Sequence, residues 1–153
     1  MSRDFNKNKV AVLTGAAKKI GRSTAIKLAE QGFNILIHTG GKSIEEAKDT
    51  IKLLEKFKIK SNYVTGDLAN LETINIIKDA ALKLGTPSVL VNNAGLRIHE
   101  HFEKIDYKDW KKVMTVNVDA SFLCAQALIN YMVKQKWGRV INIGGLSAHI
   151  GAK

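Results

Sequence analysis

A short segment near the start of the chain has the residue types that bind an anion through backbone atoms. Residues 14–21 read Thr-Gly-Ala-Ala-Lys-Lys-Ile-Gly and lie between an apolar run and a helical pattern. Gly15 permits a tight turn, and Gly21 allows the following helix to lie close to a sheet. The N–H groups and the dipole at the start of that helix favour an anion. The segment predicts a pyrophosphate site, the alternative being an ordinary strand-to-helix turn that requires small residues.

Other polar residues follow later apolar runs in the same way. His38 and Asp67 each come after such a run, and so do residues 92–95, Asn-Asn-Ala-Gly. Because the carboxyl ends of parallel strands meet at one edge of a sheet, we expect these residues to border the same ligand site. Asp67 is an acceptor suited to an adenine amino group, although a helix-initiating turn residue is the alternative.

The elements that must position these residues alternate between strand and helix. Strands are predicted at residues 10–14, 35–37, 61–65, 89–91 and 140–143. Continuous apolar runs are typical of strands covered on both faces, whereas the more polar third strand fits a sheet edge. Alternation with helices implies right-handed crossovers between parallel strands. The predicted fold class is therefore α/β, a doubly wound Rossmann-type parallel sheet with strand order 3-2-1-4-5.

Helix signals fill the intervals between these strands. Apolar spacings of three and four predict a helix at residues 22–31. Ser43 and Glu46 have the spacing of a capping box and predict the start of a second helix. Asn70 is expected to cap a third helix, which begins shortly after the turn that follows the third strand.

A long helical pattern covers about residues 109–136 and is expected to break near Asn117. Residues 122–133 are apolar almost all round, which predicts burial on more than one side, in the core or against another subunit. Cys124, the single cysteine, lies within this stretch. Its apolar surroundings predict a buried structural thiol.

Composition bounds the class of protein. The chain has 153 residues with 45% hydrophobic and 25% charged residues, which suits one globular domain. Residues 1–9 are polar and resemble neither a signal peptide nor an anchor. No run approaches the length of a membrane span. We therefore expect a cytoplasmic protein with no membrane partner, and no metal site is predicted.

The formal net charge of +10 has two interpretations. One is a nucleic-acid surface. The other is a lysine-rich solvated exterior in which a few cations serve an anionic ligand. The lysines are spread along the chain, and no compact basic cluster is interleaved with aromatic residues. The second interpretation is favoured, so no nucleic-acid partner is expected.

Five motifs in order resemble the short-chain dehydrogenase/reductase family. They are Thr14-Gly15-x-x-x-Lys19-x-Gly21, Asp67, Asn92-Asn93-Ala94-Gly95, Asn117 and the strand at residues 139–143. The first is similar to the family's Thr-Gly-x-x-x-Gly-x-Gly with the middle glycine replaced. A basic residue at that position is similar to the pteridine reductases. The resemblance runs from Lys9 to the last residue.

The resemblance implies an NAD(P)-dependent oxidoreductase that transfers a hydride between the nicotinamide and a small carbonyl or alcohol substrate, similar to the 3-oxoacyl-carrier-protein reductases. Residues 1–153 would be its N-terminal cofactor-binding Rossmann domain, and the full-length protein would be a homo-oligomer. The catalytic residues implied are Asn117, whose side chain is expected to bind its own backbone and free a carbonyl for a relay water, and Ser147. The cofactor-binding residues implied are Thr14, Gly15, Ala17, Lys18, Lys19, Ile20, Gly21, His38, Lys42, Ser43, Asp67, Leu68, Asn93, Ala94 and Gly95.

The choice of cofactor follows from charge near the second strand. A carboxylate after that strand would bind the 2′-hydroxyl of NAD and repel a 2′-phosphate. Residues 38–43 contain no acid, and Lys18, Lys19 and Lys42 are all expected nearby. NADP is therefore predicted, with NAD possible if these lysines are only solvated.

Two departures from the family pattern bear on catalysis. The family's catalytic serine falls at Gly145, while Ser147 lies two residues further on and His149 is a polar substitute nearby. The family's Tyr-x-x-x-Lys motif and last strands would lie beyond Lys153. We therefore expect this chain to be inactive by itself. The alternatives are a non-catalytic dinucleotide-binding module and, ranked last, a nucleic-acid-binding protein.

Overall fold

The computed structural model describes residues 3–145, which form a single parallel sheet between layers of helices. The strands in this range are β1 (Lys9–Leu13), β2 (Asn34–Thr39), β3 (Ser61–Thr65), β4 (Thr86–Asn92) and β5 (Arg139–Asn142). Their order is β3-β2-β1-β4-β5, and each neighbouring pair is parallel. The predicted fold class and strand order are confirmed, and β3 lies at an edge as expected.

Helices cover both faces of this sheet. They are α1 (Arg3–Asn6), α2 (Lys19–Glu30), α3 (Ile44–Leu54), α4 (Leu71–Leu84), α5 (Tyr107–Met114) and α6 (Ala120–Lys134). Short 3₁₀ turns occupy Gly41–Ser43, Glu55–Phe57 and Phe102–Lys104, and a π-helical segment occupies Thr115–Asp119.

The core divides into two clusters because strand side chains alternate between faces. Ala11 and Leu13 of β1 pack with residues of α2 and α3, whereas Val10 and Val12 pack with residues of α4 and α6. All four side chains are fully buried. β1 is thus the central strand of a three-layer sandwich, as its apolar run predicts.

The two predicted helix caps have different outcomes. Asn70 is extended, and its Oδ1 accepts a hydrogen bond of 2.9 Å from the backbone N–H of Glu72, which confirms that cap. The capping box at Ser43 is wrong, because Ser43 ends a 3₁₀ turn with ψ 38° and its side chain makes no capping bond. An N-cap normally requires an extended backbone. Glu46 pairs instead with Lys18.

The long helical pattern is continuous, because the π-helical segment Thr115–Asp119 joins α5 to α6. The irregularity predicted near Asn117 is therefore present as a local change of helix type and not as a break in the helix. The stretch Tyr107–Lys134 has 28 residues and is, by length and composition alone, able to cross a membrane, so the expectation that no run has that length is wrong. Core helices of soluble proteins pass the same test. Here the inner face of α6 lies on β4 and α4 and includes the buried Cys124.

The outer face of α6 is exposed in this single chain, so its predicted burial in the core is wrong, while burial against another subunit stays a prediction. Phe122 and Val133 are 62% and 66% exposed in this single chain. The inner face carries Cys124, whose thiol is buried, as predicted. Burial raises the pKa of that thiol to about 11, so it is protonated and unreactive at neutral pH.

Candidate cofactor site

A cleft of about 720 Å³ lies at the carboxyl ends of the strands, where the order of the sheet reverses. Its size is within the range of small-molecule and cofactor sites. It is lined by Gly15, Lys18, Lys19, Ile20, Gly21, His38, Gly40, Gly41, Lys42, Gly66, Asp67, Leu68, Asn93, Ala94, Gly95, Leu96, Lys112 and Val116. Twelve of the fifteen residues named as cofactor-binding from sequence are therefore brought together here. Their binding of a cofactor stays a prediction.

Glycines hold the turn between β1 and α2 against the turn after β4. Gly15 has φ +60°, and a Cβ there would lie 2.7 Å from the Ala94 Cα. A Cβ on Gly21 would lie 2.5 Å from the Ala16 Cα and 2.8 Å from Nδ2 of Asn93. Both positions therefore require glycine for close approach of the backbone, as the sequence predicts.

Lys19 occupies the position of the family's middle glycine. Its φ is +52°, in the left-handed region that glycine adopts without strain. The backbone of the turn therefore keeps the conformation of the glycine motif, while the lysine adds a cation to the wall of the cleft.

Two side chains bind the turn after β1 to the turn after β4. Asn93 Nδ2 donates to the carbonyls of Thr14 and Gly15 at 3.0 and 2.9 Å. Thr14 Oγ1 accepts from the N–H groups of Asn93 and Ala94 at 3.1 and 3.0 Å. Thr14 is buried and does not line the cleft, so it positions the turn without facing a ligand.

Ala17 and Ser43 also lie outside the wall of the cleft. Ala17 is buried, and its carbonyl accepts hydrogen bonds from Arg22 and Thr50. Its contribution is to fix the loop that precedes α2.

Positive charge surrounds the opening of the cleft. Lys18, Lys19, Lys42 and Lys112 border it, with Asp67 as the acidic residue of the described wall. The first turn of α2 contains no acid, and the Lys18 side chain at its N-cap makes no capping bond. The N–H groups there lack partners within the helix, and cations beside the positive end of a helix dipole are unfavourable. An anion bound in the turn would relieve both conditions.

His38 supplies a buried polar atom to the same cleft. Its Nε2 lies 3.0 Å from the Gly66 carbonyl, which only accepts, so Nε2 carries the proton. Its Nδ1 has no hydrogen-bond partner among the described residues. Burial lowers the pKa of His38, and the Gly66 bond and the Asp67 charge oppose that shift. The ring is therefore a neutral acceptor at pH 7.

Several residues of the wall were missed from the sequence. They are Gly40, Gly41, Gly66, Leu96, Lys112 and Val116. A Cβ on Gly40 or Gly41 would meet no described atom within 4 Å, so packing does not require glycine there and the cleft stays open beside Lys42. Lys112 and Val116 are four residues apart on one helical stretch, a spacing that places them on one face and could have indicated them.

A second cavity of about 1000 Å³ adjoins the first along residues 93–96 and is bordered by Asn117 and Gly145. Asn117 Oδ1 accepts from the Leu96 N–H at 2.7 Å, and its Nδ2 donates to the Leu96 carbonyl at 3.0 Å. The expectation that this side chain binds its own backbone is therefore wrong. Its carbonyl accepts a bond from Ser121. Ser147 and His149 lie outside the described residues.

Comparison with known proteins agrees with this geometry. The family model for short chain dehydrogenases matches residues 9–153. An uncharacterised oxidoreductase, YohF of Escherichia coli K12, is 39% identical over 142 residues, which cover 92% of this chain and 56% of that protein. The 3-oxoacyl-[acyl-carrier-protein] reductase FabG of Staphylococcus epidermidis RP62A is 33% identical over 150 residues, which cover 94% of this chain and 59% of FabG.

A solved structure of a related oxidoreductase has the same fold. The acetoin dehydrogenase YohF of Salmonella typhimurium superposes with a TM-score of 0.87 at 35% identity, covering 93% of this chain and 56% of that one. The chain thus spans 56 to 59% of the length of these relatives.

Proposed function

The chain belongs to the short-chain dehydrogenase family, and from that premise we propose that it is the cofactor-binding part of an NADP-dependent oxidoreductase. Residues 1–153 are proposed to form one NAD(P)-binding Rossmann domain. The observation that carries the proposal is the lysine-bordered cleft at the start of α2. The open space at Gly40 and Gly41, beside Lys42, supports a fit to a ligand that bears phosphates.

The residues of the cleft would divide the work of binding. Backbone N–H groups at the start of α2 would hold the pyrophosphate. Gly15 and Gly21 have no Cβ, so the pyrophosphate could come close to the backbone there. Asp67 would accept a hydrogen bond from the adenine amino group. When bound, the nicotinamide carries the hydride, and the protein supplies orientation and charge complementarity.

Charge supports NADP over NAD. Lys18, Lys19 and Lys42 line the cleft, and residues 38–43, at the end of β2 and just after it, contain no acid. A 2′-phosphate would gain charge-assisted hydrogen bonds from these cations, whereas a 2′-hydroxyl would gain less. NAD remains the weaker-binding alternative in this proposal.

Catalytic roles are proposed for two residues. Asn117 makes two hydrogen bonds to the backbone of Leu96, which lines both cavities. Asn117 would therefore position the segment that lies between the cofactor and the substrate. Ser147 would supply the hydroxyl that the family has at the position of Gly145 and would donate a hydrogen bond to the substrate oxygen.

The substrate class is proposed by analogy with the relatives. FabG acts on a 3-oxoacyl group by its name, and the Salmonella relative is named for acetoin. Both names refer to a compound with a carbonyl group, so we assign a carbonyl or alcohol substrate, 3-oxoacyl reductase-like. The full-length protein would be a cytoplasmic homo-oligomer, which would cover exposed side chains of α6 such as Phe122.

Titration of this chain with NADPH and NADH, followed by the fluorescence of the reduced nicotinamide, tests the proposal. NADPH should bind about tenfold more tightly than NADH, and Lys42→Gln should reduce that ratio while leaving NADH unchanged. Lys134→Gln is the control, because Lys134 does not line the cleft. If neither NADPH nor NADH binds, the proposed function is overturned. The chain by itself is expected to show no turnover.

A non-catalytic dinucleotide-binding module is a second candidate, favoured by the glycine at the position of the family serine. Reading the gene beyond the codon for Lys153 separates the two candidates. A Tyr-x-x-x-Lys motif there, with NADPH oxidation in the presence of a carbonyl substrate, supports the enzyme. Dinucleotide binding without that motif or turnover supports the module.

A further inference from the structure

One cation of the cleft, Lys18, already has a partner. Its Nζ lies 2.8 Å from Oε1 of Glu46, and the two side chains are 49% and 38% exposed. Lys18 lines the cleft, whereas Glu46 does not. An ion pair this exposed is weak and exchanges readily with water or with another anion.

The backbones that carry these two side chains are fixed relative to each other. Arg22 Nη2 donates to the carbonyls of both Ala17 and Glu46 at 3.0 Å. The hydroxyl of the fully buried Thr50 lies 2.8 and 2.9 Å from the same two carbonyls. The loop before α2 and the first turn of α3 therefore form one unit. The side chains of Lys18 and Glu46 extend from this fixed unit and are both partly exposed.

We infer that Glu46 is a specificity-determining residue, because its carboxylate competes with an adenosine 2′-phosphate for the ammonium group of Lys18. The inference rests on the proposed function, in which the cleft binds a dinucleotide that bears this phosphate. A 2′-hydroxyl does not require the cation, so Glu46 weakens NADP binding and leaves NAD binding unchanged. Glu46 thereby limits the preference for NADP that Lys19 and Lys42 support.

Two further observations agree with this role. The hydrogen bond from Lys18 is the main cause that lowers the pKa of Glu46, so the carboxylate is charged throughout the neutral range and competes there. The neighbouring Glu45 pairs with Lys48 instead, and neither residue lines the cleft. Glu45 is therefore a matched control, with the same charge and one residue away.

The first experiment compares NADPH and NADH dissociation constants for the unmodified chain, Glu46→Gln and Glu45→Gln. Glu46→Gln should tighten NADPH binding about two- to fivefold, the range expected for releasing a surface ion pair. NADH binding should stay within twofold, and Glu45→Gln should change neither constant. The exposed position of the Glu46 side chain and the retention of its backbone bonds favour normal folding of the variant.

A second variant separates competition for Lys18 from simple repulsion between Glu46 and a phosphate. In the Lys18→Gln background, Glu46→Gln should no longer tighten NADPH binding. A gain that persists without Lys18 would overturn the inference. The carboxyl ¹³C resonance of Glu46 gives an independent readout with adenosine 2′,5′-bisphosphate as the probe. Its pKa should rise on binding in the unmodified chain, because Lys18 is drawn away; an unchanged value would also overturn the inference.

The outcomes distinguish this inference from the proposed function. If the unmodified chain prefers NADPH and Glu46→Gln changes nothing, the role of Glu46 is overturned while the proposed function stands. If the unmodified chain binds neither dinucleotide, the proposed function is overturned, and the inference with it. If NADPH binds more tightly to Glu46→Gln but not to Glu45→Gln, the result supports both the proposed function and the role of Glu46.

Discussion

β2 and β5 are both short parallel strands with apolar residues, yet they differ completely in burial. All six residues of β2 are buried, whereas all four of β5 are exposed. β2 lies between β1 and β3 and is covered by helices, while β5 pairs only with β4 among the described strands. Burial is therefore set by neighbouring elements rather than by the strand's own residue types.

The same difference separates the two cavities. The cleft beside β2 is bordered by fixed glycines, lysines and a buried histidine. The cavity beside β5 is bordered by Ile143, Gly144 and Gly145, and Ile143 is 45% exposed. In the described residues, the cleft beside β2 thus has a packed wall, while the cavity beside β5, where catalysis is proposed, presents apolar surface to solvent.

The largest expected difference between β2 and β5 is in the loss of stability when a matched isoleucine is replaced by alanine. Ile37→Ala in β2 should lower the free energy of unfolding by about 4 kcal/mol, because the side chain is fully buried and leaves a cavity. Ile141→Ala in β5, where the side chain is 43% exposed, should cost less than about 1.5 kcal/mol. Chemical denaturation of both variants measures the difference. Equal losses would contradict the contrast between the two strands.

Matched glycines give the next largest difference. Gly21→Ala should cost about 2 to 3 kcal/mol, because its Cβ would lie 2.5 Å from the Ala16 Cα, a backbone atom. Gly144→Ala should change stability by less than about 0.5 kcal/mol, since a Cβ there meets nothing within 4 Å. Thermal melts of the two variants test this prediction, and NADPH binding should fall only in the first.

Lys19→Gly gives a smaller effect in the opposite direction. Removing the side chain at φ +52° should stabilise the chain by about 1 kcal/mol, while losing a cation should weaken NADPH binding. Lys58→Gly is the control, because Lys58 has φ +57° and does not line the cleft. It should raise the melting temperature similarly without changing affinity. Weaker NADPH binding in the control would argue against a local role for Lys19.

The smallest expected effect is a dependence of stability on pH through His38. Burial lowers its pKa in the folded chain, so on acidification below about 6.5 the unfolded chain takes up a proton before the folded one does. Stability is therefore present above that pH and decreases below it. His38→Gln should lose less stability between pH 7.5 and 5.5 in thermal melts. The exposed His101→Gln should behave like the unmodified chain.

The sequence predicts the fold well because strand and helix signals alternate without ambiguity. Apolar runs identify the three buried strands β1, β2 and β4, and the polar run at Ser61–Thr65 correctly identifies an edge. The turn at residues 14–21 is also recognisable, since glycine is required where backbones approach closely. These are local signals, and local sequence determines them.

Features that depend on distant partners could not be predicted in this way. Asn117 binds Leu96, 21 residues away, rather than its own helix. Ser43 is not a cap because its backbone conformation comes from the preceding turn. The ion pair of Lys18 with Glu46 joins the loop before α2 to α3, and the exposure of β5 depends on what neighbours it. Each requires the three-dimensional arrangement.

The hydrogen bonds around Thr14 have a consequence for biosynthesis. Its hydroxyl accepts from the N–H groups of Asn93 and Ala94, which are 79 and 80 residues further along the chain. A ribosome therefore releases the glycine turn long before the residues that brace it. Until those residues have left the exit tunnel, the nascent chain lacks the supports that hold the turn in shape, so the turn takes its final conformation late in translation.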